Sequence, residues 1–238
     1  MLAVMIENLS KNFFQHTVLD NISFEAKKGE IVSVIGPSGT GKTTLMRCIA
    51  SLERYNEGRV CFDGNSETKD EKRRRIGMVF QEFNLIPRLT VLTNVLIGRL
   101  GYVSKLTSLL GMFPYKDIKV ALNSIKKVGL HNKINERVSK ISGGERQRVG
   151  IARALAQKPE LILADEPVSN LDPKIGETIL NDFVRICKEK ELIVIMNLHQ
   201  IDYAKRFADK IIGLNKGKIV FEGTPTQLTD MAVRRIYA

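Results

Sequence analysis

Residues 31–44 read Ile31-Val32-Ser33-Val34-Ile35-Gly36-Pro37-Ser38-Gly39-Thr40-Gly41-Lys42-Thr43-Thr44. The apolar run Ile31 to Ile35 predicts a buried strand, and Thr44-Leu45-Met46-Arg47 begins a helix. Between them the G-x-x-x-x-G-K-[ST] spacing of Gly36, Gly41, Lys42 and Thr43 predicts a P-loop. Glycines let backbone N–H groups turn inward around phosphates, and the helix N-terminus adds partial positive charge. Lys42 can reach the β- and γ-phosphates, and the Thr43 hydroxyl can ligate Mg²⁺. Such a pattern arises by chance in on the order of one in a hundred unrelated chains of this length. The strand before it and the helix after it lower that figure, so a nucleoside triphosphate is the implied ligand.

A second stretch, Ile141-Ser142-Gly143-Gly144-Glu145-Arg146-Gln147-Arg148, leads into an amphipathic helix from Glu145 to Gln157. Ser142 falls at its N-cap. Pro159 stops that helix, and Leu161-Ile162-Leu163-Ala164 makes a short buried strand that ends in Asp165-Glu166. Two carboxylates at the C-terminal end of a buried strand lie on the ligand-binding edge of a parallel sheet.

In this order the segments closely resemble the ATP-binding subunits of ABC transporters, and the resemblance covers nearly the whole chain. It implies that Gly36, Pro37, Ser38, Gly39, Thr40, Gly41, Lys42 and Thr43, with Thr44 beside them, form the Walker A loop. Gln81 matches the Q-loop glutamine, Ile141 to Gln147 the signature motif, and Leu161 to Asp165 Walker B, with Glu166 as catalytic glutamate. Ser169-Asn170-Leu171-Asp172 matches the D-loop, His199 the switch histidine, and Phe13 the aromatic residue that stacks on adenine. The implied cofactors are ATP and Mg²⁺, the ion being held by Thr43, Gln81 and, through water, Asp165. Glu166 polarises the attacking water, with His199, Gln81 and Lys42 completing the catalytic set. Ser142, Gly143, Gly144 and Asp172 complete the nucleotide site of a second copy, which makes a head-to-tail homodimer.

This chain departs from the family pattern in places. Ile141 and Glu145 stand where the signature usually has leucine and glutamine, and Asn170 replaces the commoner alanine. Whether Glu145 touches nucleotide is open at this point. Phe13 has an alternative reading as a core aromatic, with the adjacent Phe14 as the stacker.

The chain has 238 residues, 43% hydrophobic, enough to bury a core as one domain. The expected fold is α/β: a P-loop NTPase (RecA-like) core over residues 1–84 and 160–238, with an antiparallel β subdomain and an inserted α-helical subdomain over 85–159. Strands are predicted at Val4 to Ile6, Ile22 to Phe24, Ile31 to Ile35, Val60 to Phe62, Ile76 to Phe80, Leu161 to Ala164, Ile193 to Met196, Ile211 to Leu214 and Gly217 to Gly223. Helices are predicted from Pro173, after His199 and after Pro225, and the alternation argues for a parallel core.

No apolar run approaches the roughly 20 residues of a membrane-spanning helix, and Met1 to Glu7 lacks the regions of a signal peptide. The expectation is a soluble chain on the cytoplasmic face of the cell membrane, without a C-terminal regulatory domain. Cys48, Cys61 and Cys187 form no CxxC spacing and read as core residues in a reducing compartment. The formal net charge is +11. Nucleic acid therefore has to be considered, but the basic run Lys72-Arg73-Arg74-Arg75 has no interleaved aromatics and reads as a solvated edge. No nucleic-acid partner is expected. The implied partners are transmembrane permease subunits and, indirectly, a periplasmic or extracellular substrate-binding protein.

Phe80 to Leu100, the insertion Gly101 to Pro114, and Asn197-Leu198-His199-Gln200-Ile201-Asp202 look like ATPases of bacterial phosphonate importers, which implies a phosphonate or related oxyanion as cargo. Leu106, Leu109, Leu110 and Phe113 of the insertion could instead pack onto the helical lobe. Other cargo, as in amino-acid import or lipoprotein release, and soluble ABC-type ATPases acting on DNA or ribosomes remain alternatives at this point. A GTPase reading fails on Asn215-Lys216-Gly217-Lys218, which lacks the aspartate of a guanine-reading N-K-x-D.

Overall fold

The computed structural model describes residues 3–64, 71, 74–103 and 112–238. Along the chain come β1 (Ala3–Phe13), β2 (His16–Lys27), β3 (Ile31–Ile35), α1 (Lys42–Ile49), β4 (Glu57–Phe62) and β5 (Ile76–Val79). A helical stretch follows, with α2 (Val91–Leu96), α3 (Tyr115–Lys127) and α4 (Gly143–Ala156) joined by short 3-10 turns. Then come β6 (Leu161–Asp165), α5 (Pro173–Glu189), β7 (Ile193–Asn197), α6 (Ile201–Phe207), β8 (Lys210–Asn215), β9 (Lys218–Gly223) and α7 (Asp230–Tyr237). Lys72 and Arg73 of the basic run, and Leu106, Leu109 and Leu110 of the insertion, lie outside the described residues. Phe113 packs on the core below the helical stretch.

The strands form a six-stranded sheet in the order β5-β6-β7-β3-β8-β9 and a three-stranded antiparallel sheet β2-β1-β4. The large sheet is parallel from β5 to β8, and β9 closes its edge antiparallel, as the hairpin partner of β8. Apolar runs buried on both faces are what a parallel sheet needs. In β3, Ile31 and Ile35 point to one face and Val32 and Val34 to the other. The first face shares one continuous core with the helical stretch, through Val91, Val95, Ile125, Val149 and Leu155. The second packs against the small sheet and α1, through Ile6, Leu19, Phe62, Leu45 and Met46. Both faces are therefore dry, and chemistry is left to the sheet's edges.

Several elements are longer than the apolar pattern predicts. β1 runs on through Glu7-Asn8 and Ser10-Lys11 because its register shifts between Ile6 and Leu9 and again to Asn12, and each bulge resets the alternation. β6 and β7 each gain a buried polar residue at the tip, Asp165 and Asn197. Gly143 and Gly144 are already helical in α4, although glycine is a poor helix former.

Cys48, Cys61 and Cys187 are buried and unpaired. Burial pushes the Cys48 thiol up to about 11 and the Cys187 thiol up to about 12, so neither is a thiolate near neutrality. Among the described residues no helix is long and apolar enough to cross a membrane.

Candidate functional site

The parallel register sets Val34 beside Asn197 and Asn197 beside Asp165, so the loops after β3, β6 and β7 leave the sheet at one edge. The loop after β3 is the glycine-rich one. Gly36 has φ +150°, and a Cβ there would lie 2.0 Å from the Leu214 carbonyl oxygen. Gly41 has φ +98°, with a Cβ position 2.7 Å from the Val18 carbonyl oxygen. Any side chain at either position would force the loop off the sheet. Gly41 is also the N-cap of α1 and brings no side chain to the first N–H groups, which leaves those donors for an anion.

Lys42 is only 5% exposed. Its Nζ donates to the carbonyl oxygens of Gly36 at 2.8 Å and Pro37 at 2.7 Å. Two of the ammonium's three donors thus stiffen the loop, and the third can reach a ligand phosphate. Burial lowers its pKa from the ordinary lysine value, while Glu166 and Asp165 act in the opposite direction and favour the charged form.

Opposite Lys42 lies the carboxylate pair. Asp165 Oδ1 accepts from Thr43 Oγ1 at 3.2 Å and from Asn197 Nδ2 at 2.9 Å. A hydroxyl and a buried carboxylate side by side are hard oxygen donors suited to Mg²⁺, an ion that takes few protein ligands and keeps its waters. The residues therefore fit that ion. Glu166 follows in the left-handed region, φ +50°, with its N–H on the Asn197 carbonyl oxygen at 3.2 Å. That turn swings its side chain away from Asp165 to pair with His199 Nε2. An ionised carboxylate only accepts, so the imidazole carries the proton of this contact.

Val18, Ser38, Gly39, Gly41, Lys42, Thr43, Thr44, Glu166, Asn197 and His199 line one cleft. Phe13, Gln81, Ser142, Gly143, Gly144 and Asp172 are not among its walls. Phe13 is 40% exposed, with Lys11 Nζ 4.3 Å from its ring centre, and Phe14 is fully exposed with φ +53°. Neither is a core aromatic, which corrects that alternative: the β1–β2 turn holds both outside the sandwich. Gln81 follows β5, and its carbonyl oxygen accepts from Asn170 Nδ2 at 3.4 Å, which ties the segment after β5 to the Ser169–Asp172 turn. The Asp172 carboxylate caps α5, accepting from Lys174 and Ile175 N–H.

At the tip of α4, Ser142 is the N-cap and Glu145 closes a capping box, accepting from the Ser142 N–H at 2.8 Å. Glu145 is thus turned back on its own helix. That contact holds its carboxyl below the usual range. We expect Glu145→Gln to keep stability within about 0.5 kcal/mol, because glutamine also closes the box. Glu145→Ala should cost about 0.5–1 kcal/mol, read by urea unfolding. A depressed folded pKa means that the ionic part of this contribution is complete above the unfolded glutamate value, about 4.3, and lost as pH falls through the lower folded value. Glu145→Gln should lack that acid limb.

Two side chains that hold the site escaped the sequence reading. Arg153 of α4 donates to the carbonyl oxygens of Phe83 and Asn84, residues with φ +59° and +46°, and so fastens the segment after Gln81 to the α4 helix. The other is Asn197. Its place at a strand end, two residues before His199, was the available signal.

With this geometry in view, comparison with known proteins is specific. Residues 19–169 match the ABC transporter family. The phosphonates import ATP-binding protein PhnC 2 of Halalkalibacterium halodurans is 47% identical over 98% of both chains. Its namesake in Thiobacillus denitrificans is 47% identical over 100% of this chain and 93% of its own. A nucleotide-free ATP-binding cassette of an ABC transporter superposes with TM-score 0.87 at 28% identity, covering 100% of this chain and 99% of that one. A dimeric bacterial ABC transporter cassette does so with TM-score 0.79 at 37% identity, over 93% and 98%. With a family match over residues 19–169 and relatives 47% identical nearly end to end, the chain belongs to the ABC transporter family.

Proposed function

We propose that this chain is the ATP-hydrolysing subunit that powers a phosphonate importer. One observation carries the ATPase part: Lys42, Thr43 and the Glu166–His199 pair line a single cleft at the strand edge, with Asp165 hydrogen-bonded to Thr43. The cargo part rests on relatives named for phosphonate import that match this chain nearly end to end.

Phosphoryl transfer to water is mostly positioning and charge neutralisation. The loop amides and Lys42 hold the β- and γ-phosphates. Thr43, Asp165 and Gln81 would hold Mg²⁺, which would supply positive charge to the phosphate oxygens. Glu166 orients the attacking water and accepts its proton. His199 keeps Glu166 turned into the cleft and faces the γ-phosphate.

Ser142, Gly143 and Gly144 lie outside this cleft, so they serve the site of a second copy, whose own P-loop faces them in a head-to-tail homodimer. Phe13 stacks on adenine, and Asp172 stands at the junction of the two copies. The apolar groove bounded by Leu52, Met78, Phe80 and Arg153 lies beside Gln81 and receives the transmembrane permease at the cytoplasmic face of the membrane. Movement at the nucleotide reaches it through the segment that Arg153 fastens.

The test is to purify the tagged chain with its membrane partners and measure ATPase activity as a binding protein is loaded. Stimulation by phosphonate-loaded protein is expected. Stimulation only by another cargo would reject the phosphonate assignment while keeping the ATPase.

A further inference from the structure

Asn197 is the last residue of β7 and fully buried. Three observations meet there. Its Nδ2 donates to Asp165 Oδ1 at 2.9 Å, the same oxygen that takes the Thr43 hydroxyl at 3.2 Å. Its backbone carbonyl receives the Glu166 N–H at 3.2 Å. Its Oδ1 is buried with no hydrogen-bond partner among the described residues, on a residue that lines the phosphate cleft. The amide orientation follows from chemistry: an ionised Asp165 can only accept, so the NH₂ faces it and the oxygen faces away.

Leaving a buried acceptor unpaired costs about 1–3 kcal/mol. Such an atom at a functional edge calls for a donor that arrives with the ligand. A hydrated divalent cation brings strongly polarised O–H donors, and the neighbouring Thr43 and Asp165 oxygens are the groups suited to hold it. We propose that Asn197 is a positioning residue for the Mg²⁺ of the nucleotide complex: its NH₂ fixes the Asp165 carboxylate, and its Oδ1 accepts a hydrogen bond from the ion's water shell. Outer-shell partners of this kind orient ligands and tune metal affinity without touching the metal. Through the Glu166 N–H, the same residue sets the start of the left-handed turn that aims Glu166. The inference rests on the metal-assisted ATPase reading.

Mn²⁺ in place of Mg²⁺, with a non-hydrolysable ATP analogue, allows binding to be read by electron paramagnetic resonance without turnover. For Asn197→Ala we expect Mn²⁺ affinity of the nucleotide complex to fall about 10- to 100-fold. Affinity for the analogue in excess chelator should stay within about twofold, since Asn197 donates nothing to phosphate in this account. Asn197→Val refills the volume with a residue suited to a strand and carries the same expectation if the alanine variant does not fold. Unchanged Mn²⁺ affinity, or equal losses with and without metal, would overturn the role of Asn197. Wild-type protein that bound Mn²⁺ no better with nucleotide than without it would remove the metal-assisted reading itself, a different result.

Discussion

Glu166→Gln is expected to abolish ATP turnover and leave ATP binding intact. The substitution keeps shape and hydrogen-bonding length but removes the negative charge that, in the proposed mechanism, orients water and accepts its proton. A positioned general base contributes about 10²- to 10⁴-fold, so kcat should fall by that range while the nucleotide Kd changes less than about threefold. The side chain is well placed for this loss to be clean. Its backbone is set by the left-handed turn and the Asn197 carbonyl, neither of which the substitution alters. In the proposed dimer, which ATP closes and hydrolysis opens, the trapped ATP complex should accumulate as a dimer. Single-turnover kinetics and light scattering read the two effects separately. Normal turnover in the variant would take Glu166 out of its role.

Lys42→Ala should act on the other side of the reaction. A charge-assisted hydrogen bond is worth roughly 1.5–3 kcal/mol, so loss of the phosphate contact predicts an ATP affinity lower by on the order of 10- to 100-fold. The loss extends to the loop, since Lys42 Nζ also binds the carbonyl oxygens of Gly36 and Pro37. Without it the loop should loosen, and affinity for ADP should fall as well. Lys42→Arg should not rescue: the position is 5% exposed, and a planar guanidinium cannot reproduce both contacts in that space. Titration calorimetry checks both variants, and unchanged ATP binding by Lys42→Ala would count against the P-loop assignment.

The P-loop was legible because its demands are local: glycines at 36 and 41, where any Cβ would strike a carbonyl of a neighbouring strand, and a lysine one step into a helix. The strands of the large sheet were legible because apolar runs buried on both faces carry no ambiguity of register. β1 and β2 were read too short, because bulges and polar residues on their exposed face interrupt the alternation that marks a strand. Asn197 was left off the tip of β7 for a related reason, while Asp165 was read at the end of its strand. Buried polar residues end an apolar pattern, yet here they sit at the strand ends beside the glycine loop. The meaning of Glu145 was open until the capping box turned it toward Ser142. The contacts of Arg153 and Asn197 were not legible because their partners are 70 and 32 residues away, and no local pattern announces such pairs.

The central claim is that ATP joins two copies, held by the glycine loop of one and the Ser142-Gly143-Gly144 helix tip of the other. Gly143→Glu isolates it. Position 143 opens α4, where an acid suits the helix dipole, and an added Cβ meets only Leu171 Cδ2 at 3.5 Å, so the chain should fold unchanged. In a partner's site, however, the new carboxylate would face a triphosphate. Light scattering on Glu166→Gln with ATP should give twice the 26.8 kDa chain mass, and Glu166→Gln with Gly143→Glu should bind ATP equally well as a monomer. A double variant that dimerised on ATP as readily as Glu166→Gln alone would contradict the account.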